Sequence, residues 1–371
     1  MSQARILIVH NGLAKTGTTA VQAYLERNHD DLRARGVGVL SVRGESEDFF
    51  LTQYLLSLDN RSLPEGYTIS INTTEQNFPA WPESQFARVI SDEGLANIGP
   101  NGARAVIDYG ARNGARCHVV TVVRNPRQWL YSLWAQGTNI NLSRDWCTFI
   151  RGASSKGLGF LSKALDVWCE SGGAVSVLSY DSKDAVATFC AHVGLPQPPE
   201  RGASKDHRLN TSPPTIDLLL RAHMSEMVFS AIDHLQIPIK VGAIQRGLLS
   251  LFTDADPMFE AARILEEKLR ADVSLESSLI GYDSFPLLSE YLLGWAHDAE
   301  EFLAKFGSTL HGVSVSVVRS LIEEARADSV KLLSAPETYD RLPQAGAIDN
   351  LPIDSTIVSL ARTITYSLTG R

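Results

Sequence analysis

The chain has 371 residues, of which 20% are charged, and a formal net charge of −8. That length allows one large domain or a domain with an extension, and the acidic balance argues against a general nucleic-acid binder while leaving room for a local basic pocket. Its four cysteines, Cys117, Cys147, Cys169 and Cys190, form no CxxC pair and show no metal-ligand spacing to histidine, so they read as free thiols and not as a disulfide framework or zinc site.

The first element is the apolar run Ile6–Val9, which reads as a buried strand. It is too short for a signal peptide, and no run in the chain reaches the roughly 18 apolar residues of a membrane span; the expectation is a cytoplasmic protein with no membrane segment. A loop carrying Gly12 and Gly17 follows, and Thr18 to Arg27 reads as a helix with Ala20, Ala23 and Tyr24 on its buried face. Strand, glycine loop and helix N-terminus together make an anion site, because free N–H groups and the helix dipole point at the loop. Lys15 adds a positive charge, and the hydroxyls of Thr16, Thr18 and Thr19 add donors. The spacing starts as a Walker A loop, with Gly12, four residues and Gly17, but Thr18 stands where the lysine belongs. Lys15, before the second glycine, is placed for the far end of a bound phosphate chain.

Residues 36–41 read as a second strand and 45–60 as a helix with Phe49, Phe50, Tyr54, Leu55 and Leu58 in a core-facing stripe. Residues 61–85, with Pro64, Pro79, Pro82 and Trp81, read as a loop-rich insertion. Residues 86–94 form the next strand-to-turn junction, Phe86-Ala-Arg-Val-Ile-Ser-Asp-Glu-Gly94. The carboxyl end of a parallel strand faces the ligand crevice, so Asp92 and Glu93 are a proton acceptor or a helix-capping pair. Pro100 to Asn113 reads as a helix with Ala105, Val106 and Tyr109 inward. It leads to the strand Cys117–Val123, which ends in Arg124-Asn-Pro126, with Ser132 about two turns into the following helix. Trp129, Trp134 and Trp146 read as core, and His118 as a strand residue with a satisfied partner, whereas His10 lies next to the phosphate loop.

Leu158 to Ser171 is a predicted helix ended by Gly172-Gly173, followed by a strand from Ala174, a helix over 182–193 and the stop Gly194-Leu-Pro196. This alternation predicts an α/β fold, a P-loop-like parallel sheet flanked by helices. Residues 197–214 read as a polar, proline-bearing loop or lid holding Arg208. From residue 215 the strand signal vanishes, and helical patterns at 257–272, 286–306 and 312–334 predict a C-terminal helical extension. The division expected is therefore 1–214 for the α/β core and 215–371 for the extension.

Two of these motifs carry a resemblance. Gly12-Leu-Ala-Lys-Thr-Gly-Thr-Thr-Ala-Val-Gln22 resembles the 5′-phosphosulfate loop of sulfotransferases that use 3′-phosphoadenosine 5′-phosphosulfate (PAPS), most closely the bacterial branch. Arg124-Asn-Pro126 with Ser132 is similar to that family's 3′-phosphate motif, and Ser91 and Glu93 match its Ile-Ser-x-Glu stretch. The resemblance spans roughly the first 135 residues; Arg208-Leu-Asn210-Thr-Ser212 extends it into the late loop, while the glycine-rich closing motif of the animal cytosolic enzymes is absent. It implies PAPS on Lys15, Thr16, Gly17, Thr18 and Thr19, with Arg124, Ser132 and Arg208 on the nucleotide. Lys15 would stabilise the leaving group and Glu93 would take the acceptor's proton, with Asp92 and His10 as rivals, and no metal is required. The acceptor implied is a hydroxyl on a glycan or small metabolite. The extension is left with acceptor binding, homo-oligomerisation or contact with another protein as its roles. Two other readings of the same residues are a divergent P-loop kinase or nucleotide hydrolase and a non-catalytic nucleotide-binding scaffold.

Overall fold

Strand β1 (Arg5–Asn11) lies at the centre of a five-stranded sheet, and its run Leu7, Ile8, Val9 is shielded from solvent on both faces. The computed structural model describes residues 4–42, 49–59, 78, 80–141, 146–180, 185–197 and 284–334. The other strands are β2 (Val37–Val42), β3 (Ala87–Asp92), β4 (Ala115–Val123) and β5 (Ala174–Ser179), in the order β2-β3-β1-β4-β5. Every pairing is parallel, as the near-continuous apolar strands predict. Register places His10 beside Ser91 on β3 and beside Val120 on β4.

The helices of the α/β part are α1 (Thr18–Arg27), α2 (His29–Ala34), α3 (Phe49–Ser57), α4 (Pro100–Arg112), α5 (Pro126–Asn141), α6 (Trp146–Lys156), α7 (Leu161–Glu170) and α8 (Ala185–Val193). Val21, Tyr24 and Leu25 of α1 and Val186, Phe189 and Cys190 of α8 pack with Ile8, Val120, Val122 and Leu178 on one face of the sheet. Helices α4 and α7 pack against each other and against β4 and β5. The buried stripe of α1 therefore runs through Val21 and Leu25, with Ala20 and Ala23 half-buried at its margin; the larger branched side chains win the core positions. In α4, Ala103 joins Val106 and Tyr109 in the core and Ala105 is half-buried.

Helices α9 (Ser284–Phe306) and α10 (Ser314–Ser334) realise two of the predicted C-terminal helices. The pattern at 257–272 and the boundary near 214 lie outside the described residues. The α/β fold, a P-loop-like parallel sheet flanked by helices with helices at the C-terminal end, is thus as expected. No described helix is long and apolar enough to cross a membrane.

Two compact units separate among the described residues. One takes in those within Met1–Trp129, Gly157–Leu209 and Gly294–Arg326, and so holds the whole sheet. The other takes in those within Leu130–Lys156, Asn210–Leu293 and Ala327–Arg371. It contains an aromatic cluster of Tyr131, Trp134, Trp146 and Phe149, and the buried hydroxyls of Ser289 and Ser329 bond each other at 2.6 Å.

Candidate functional site

The loop between β1 and α1 is shaped by two left-handed residues, Lys15 at φ 64° and Gly17 at φ 85°. A side chain rarely adopts that conformation without glycine's freedom, so Lys15 is held in a strained geometry while Gly17 accepts it at no steric cost. Gly17 also has no room for a Cβ, which would lie 2.8 Å from the Ala185 Cβ and 3.0 Å from the Tyr180 ring. At Gly12 a Cβ would meet the Thr18 methyl at 2.5 Å. Gly12 thus lets the loop close on Thr18, and Gly17 lets it pack against Ala185 and Tyr180.

The threonines behave differently from expectation. Thr16 Oγ1 donates to the Leu13 carbonyl at 2.6 Å, and Thr18 Oγ1 donates to the same oxygen at 3.1 Å. Both side chains are buried, and their protons serve the loop's own carbonyl. What the loop offers an anion is its backbone N–H groups, the N-terminus of α1 and the Lys15 ammonium. Thr19 is half-buried in the first turn of α1.

Glu93 and Arg124 each lie within electrostatic reach of Lys15, although the three residues follow three different strands. Burial lowers the proton affinity of Lys15, the Glu93 carboxylate raises it and the Arg124 guanidinium lowers it further. Burial also lowers that of Arg124. Lys15 and Arg124 are two partly desolvated cations within reach of each other, and Glu93 is the carboxylate that acts on Lys15, so a further anion would be favoured beside Arg124. Asp92 is the N-cap of the 3-10 turn Glu93–Asn97, its Oδ1 accepting from the Gly94 N–H at 2.6 Å. That bond leaves Glu93, exposed at the head of the turn, as the carboxylate that acts on Lys15.

His10 sits inside the core with no exposed surface. Its Nδ1 bonds Ser91 Oγ at 2.8 Å, its ring packs on Phe189, and burial depresses its pKa to about 4. It therefore buttresses the strand that carries Glu93 and does not face the crevice. Gln22 does the same from α1, its Nε2 donating to the Ser91 carbonyl at 3.2 Å. Ser132 is half-buried on α5 in the second unit, and Arg208 lies outside the described residues.

Three residues of the site were not singled out for it by the sequence. Tyr180 follows β5, takes its N–H to the Val123 carbonyl at 2.6 Å, and lies under the Arg124 guanidinium, 5.3 Å from ring centre to Cζ. The same ring abuts Gly17, so it spans from the loop to the arginine. Trp129 is core, as expected, yet its Nε1 donates to the Ala14 carbonyl at 2.7 Å. Trp295 of α9 donates to the Gly159 carbonyl at 3.0 Å and, with Leu13, Val123, Arg124, Pro126 and Trp129, lines a shallow cleft. The position of Tyr180 at a strand's carboxyl end was the available signal for it; none marked Trp295, because its partners are far away in the chain.

Asn125 completes the arginine motif as an N-cap. Its Oδ1 accepts from the N–H groups of Arg127 and Gln128 at 3.1 and 3.2 Å, and its Nδ2 donates to Glu324 of α10 at 3.0 Å.

No protein-family model matches the chain, and no curated protein is similar to it in sequence. Among solved structures the chain is similar to a sulfotransferase from Alicyclobacillus acidocaldarius, at 16% identity over 62% of this chain and 96% of that one. The TM-score is 0.34, too low to establish a shared fold, so the architecture rests on the strand order and register given above.

Proposed function

We propose that the chain is a PAPS-dependent sulfotransferase that moves a sulfuryl group to an acceptor hydroxyl, with a carbohydrate or glycosylated metabolite as the acceptor class. The observation that carries this reading is that Glu93 and Arg124, from two other strand ends, both act on Lys15 of a loop that lacks the Walker lysine. Two partly desolvated cations suit a donor that carries more than one anionic group. The acceptor class rests on the sequence resemblance.

The charge of Lys15 and Arg124 suits the anionic groups of that donor. The backbone of Lys15–Thr19 would hold the 5′-phosphosulfate and Arg124 the 3′-phosphate side, while the roles of Ser132 and Arg208 rest on the sequence resemblance alone. The donor supplies the sulfuryl group when bound. Glu93 takes the acceptor hydroxyl's proton as the new O–S bond forms, a role that needs its carboxylate ionised and within one hydrogen bond of the acceptor. Lys15 would stabilise the negative charge that develops on the departing nucleotide, a preorganised electrostatic role. Asp92 holds the turn, and His10 and Gln22 hold Ser91, so the segment that carries Glu93 is fixed from both sides.

The test is calorimetric titration of adenosine 3′,5′-bisphosphate without magnesium. Wild type is expected to bind, and Arg124→Ala to weaken binding by roughly 10- to 100-fold, the range for losing charge-assisted hydrogen bonds. Absence of binding, together with magnesium-dependent ATP binding, would overturn the reading in favour of a P-loop kinase.

A further inference from the structure

We propose that His118, His192 and His311 form a binding site for one divalent transition-metal ion of the zinc, nickel or copper class, separate from the nucleotide corner. The three residues come from β4, α8 and the connection between α9 and α10, all within the sheet-bearing unit. One ligand nitrogen from each lies within 4.8 Å of the others. Around a tetrahedral zinc ion with bonds of about 2.0–2.1 Å, ligand nitrogens are separated by roughly 3.3 Å. The ring centres of His118 lie 5.4 Å from His192 and 5.3 Å from His311, with the planes tilted instead of stacked.

Each histidine has a feature suited to ligation. His118 Nε2 bonds the fully buried Ser176 hydroxyl at 2.8 Å. With Nε2–H donating there, Nδ1 keeps the lone pair, the arrangement in which a second oxygen partner fixes the tautomer of a metal ligand. His192 Nε2 is shut away from solvent and has no hydrogen-bond partner, an unsatisfied nitrogen that a metal would satisfy. His311 is exposed and gives the ion its path in. Its backbone is nonetheless fixed: its N–H donates to the Val175 carbonyl at 2.8 Å, and its carbonyl accepts from Ser314 Oγ at 2.5 Å. Ser314 Oγ in turn accepts from the Val177 N–H at 2.9 Å, so the connection is laced to β5. The left-handed Gly312, at φ 63°, turns the chain beside the His192 ring.

Electrostatics favour the neutral imidazoles that metals require. Burial and the neighbouring histidines lower the proton affinity of His118 and His192, and the nearby Arg116 lowers that of His118 further. Among the described residues no carboxylate acts on either ring to favour the imidazolium form. Three neutral nitrogens leave the fourth position to water, and nitrogen donors select zinc, nickel or copper over magnesium or calcium. The site is also remote from the reaction: His118 precedes Arg124 by six positions on one extended strand, about 20 Å at ~3.3 Å per residue. Its role is therefore a clamp that joins the α9–α10 connection to β4 and α8.

The experiment uses the full chain without a histidine tag, stripped with chelator and titrated with Zn2+ by calorimetry and with Co2+ by visible absorption. Wild type is expected to bind one ion, to show the intense visible bands of four-coordinate cobalt, and to melt at higher temperature with zinc than without. His311→Ala, a change at an exposed position, and His192→Ala should each weaken binding at least tenfold and abolish the zinc-dependent rise in Tm. His297→Ala, the surface histidine paired with Glu301, should bind as wild type does. Wild type without saturable binding below millimolar zinc, or His311→Ala and His192→Ala binding like wild type, would overturn the proposal.

Discussion

The indole N–H of Trp129 is bonded to the carbonyl of Ala14, the residue before Lys15. The helix that begins just after Arg124 is thereby fastened to the loop that carries the lysine, and the two cations are set against each other by one buried ring. Trp129→Phe keeps most of the ring's packing and removes this donor, leaving the Ala14 carbonyl unpaired. Ala14 is half-buried, so loss of this hydrogen bond should cost about 0.5–1.5 kcal/mol. The expected outcome is a lower Tm and several-fold weaker binding of adenosine 3′,5′-bisphosphate, with secondary structure unchanged by circular dichroism. Equal affinity in both proteins would show that the indole is packing alone.

Gly17 and Gly114 separate conformational strain from lack of space. Both have positive φ, at 85° and 66°, but a Cβ at Gly114 meets nothing within 4 Å, whereas at Gly17 it collides with Ala185 and Tyr180. Gly114→Ala should cost about 1–2 kcal/mol, the penalty of the left-handed region, and leave nucleotide binding intact. Gly17→Ala adds overpacking of a further ~1–3 kcal/mol and displaces the ring under Arg124, so binding should be lost as well. Denaturant melts and calorimetry on the two variants check both halves.

The elements that position the loop were legible in the sequence because parallel strands buried on two faces leave unbroken apolar runs, and because Gly17, Pro126 and Gly172 punctuate them where helices begin or end. What was not legible depends on contacts made across long stretches of chain. The hydroxyls of Thr16 and Thr18 look like phosphate donors in a one-dimensional motif, yet burial turns both to Leu13. His10 looks exposed to the loop by proximity in sequence, yet the strand's alternation points it into the core against Phe189. The histidine cluster has no spacing signature at all, since β4, α8 and the α9–α10 connection meet only through the fold.

The neighbouring acids Asp92 and Glu93 should differ in what their loss does. Asp92→Ala removes the acceptor of the Gly94 N–H and should destabilise the chain by about 1 kcal/mol, as capping losses do, with a smaller effect on transfer through Glu93's position. Glu93→Gln leaves the cap intact. It should leave the Tm nearly unchanged and lower the turnover of an identified acceptor by roughly 10²- to 10⁴-fold. It should also lower the pKa of Lys15 further, because the one carboxylate that raises it is gone. Turnover in Glu93→Gln equal to that in wild type would remove Glu93 from the mechanism.

His10 gives the fold a defined acid sensitivity. Burial depresses its pKa from 6.5 to about 4, so the unfolded chain takes up this proton before the folded one does. Stability tied to His10 is complete above pH 6.5 and is lost progressively as pH falls toward 4, because more protons bind to the unfolded state throughout that window. Each pH unit between the two values is worth about 1.4 kcal/mol, so the full loss is about 3 kcal/mol. His10→Asn removes the titrating group while its amide can still meet Ser91 Oγ. The variant should be less stable than wild type at pH 7.5, from the cavity left beside Phe189, but its stability should fall less steeply between pH 6.5 and 4. Urea unfolding at pH 7.5, 6, 5 and 4.5 reads the two slopes directly. Parallel slopes would mean that His10 is protonated in the folded protein at the same pH as in the unfolded chain, and that its burial between Ser91 and Phe189 carries no such penalty.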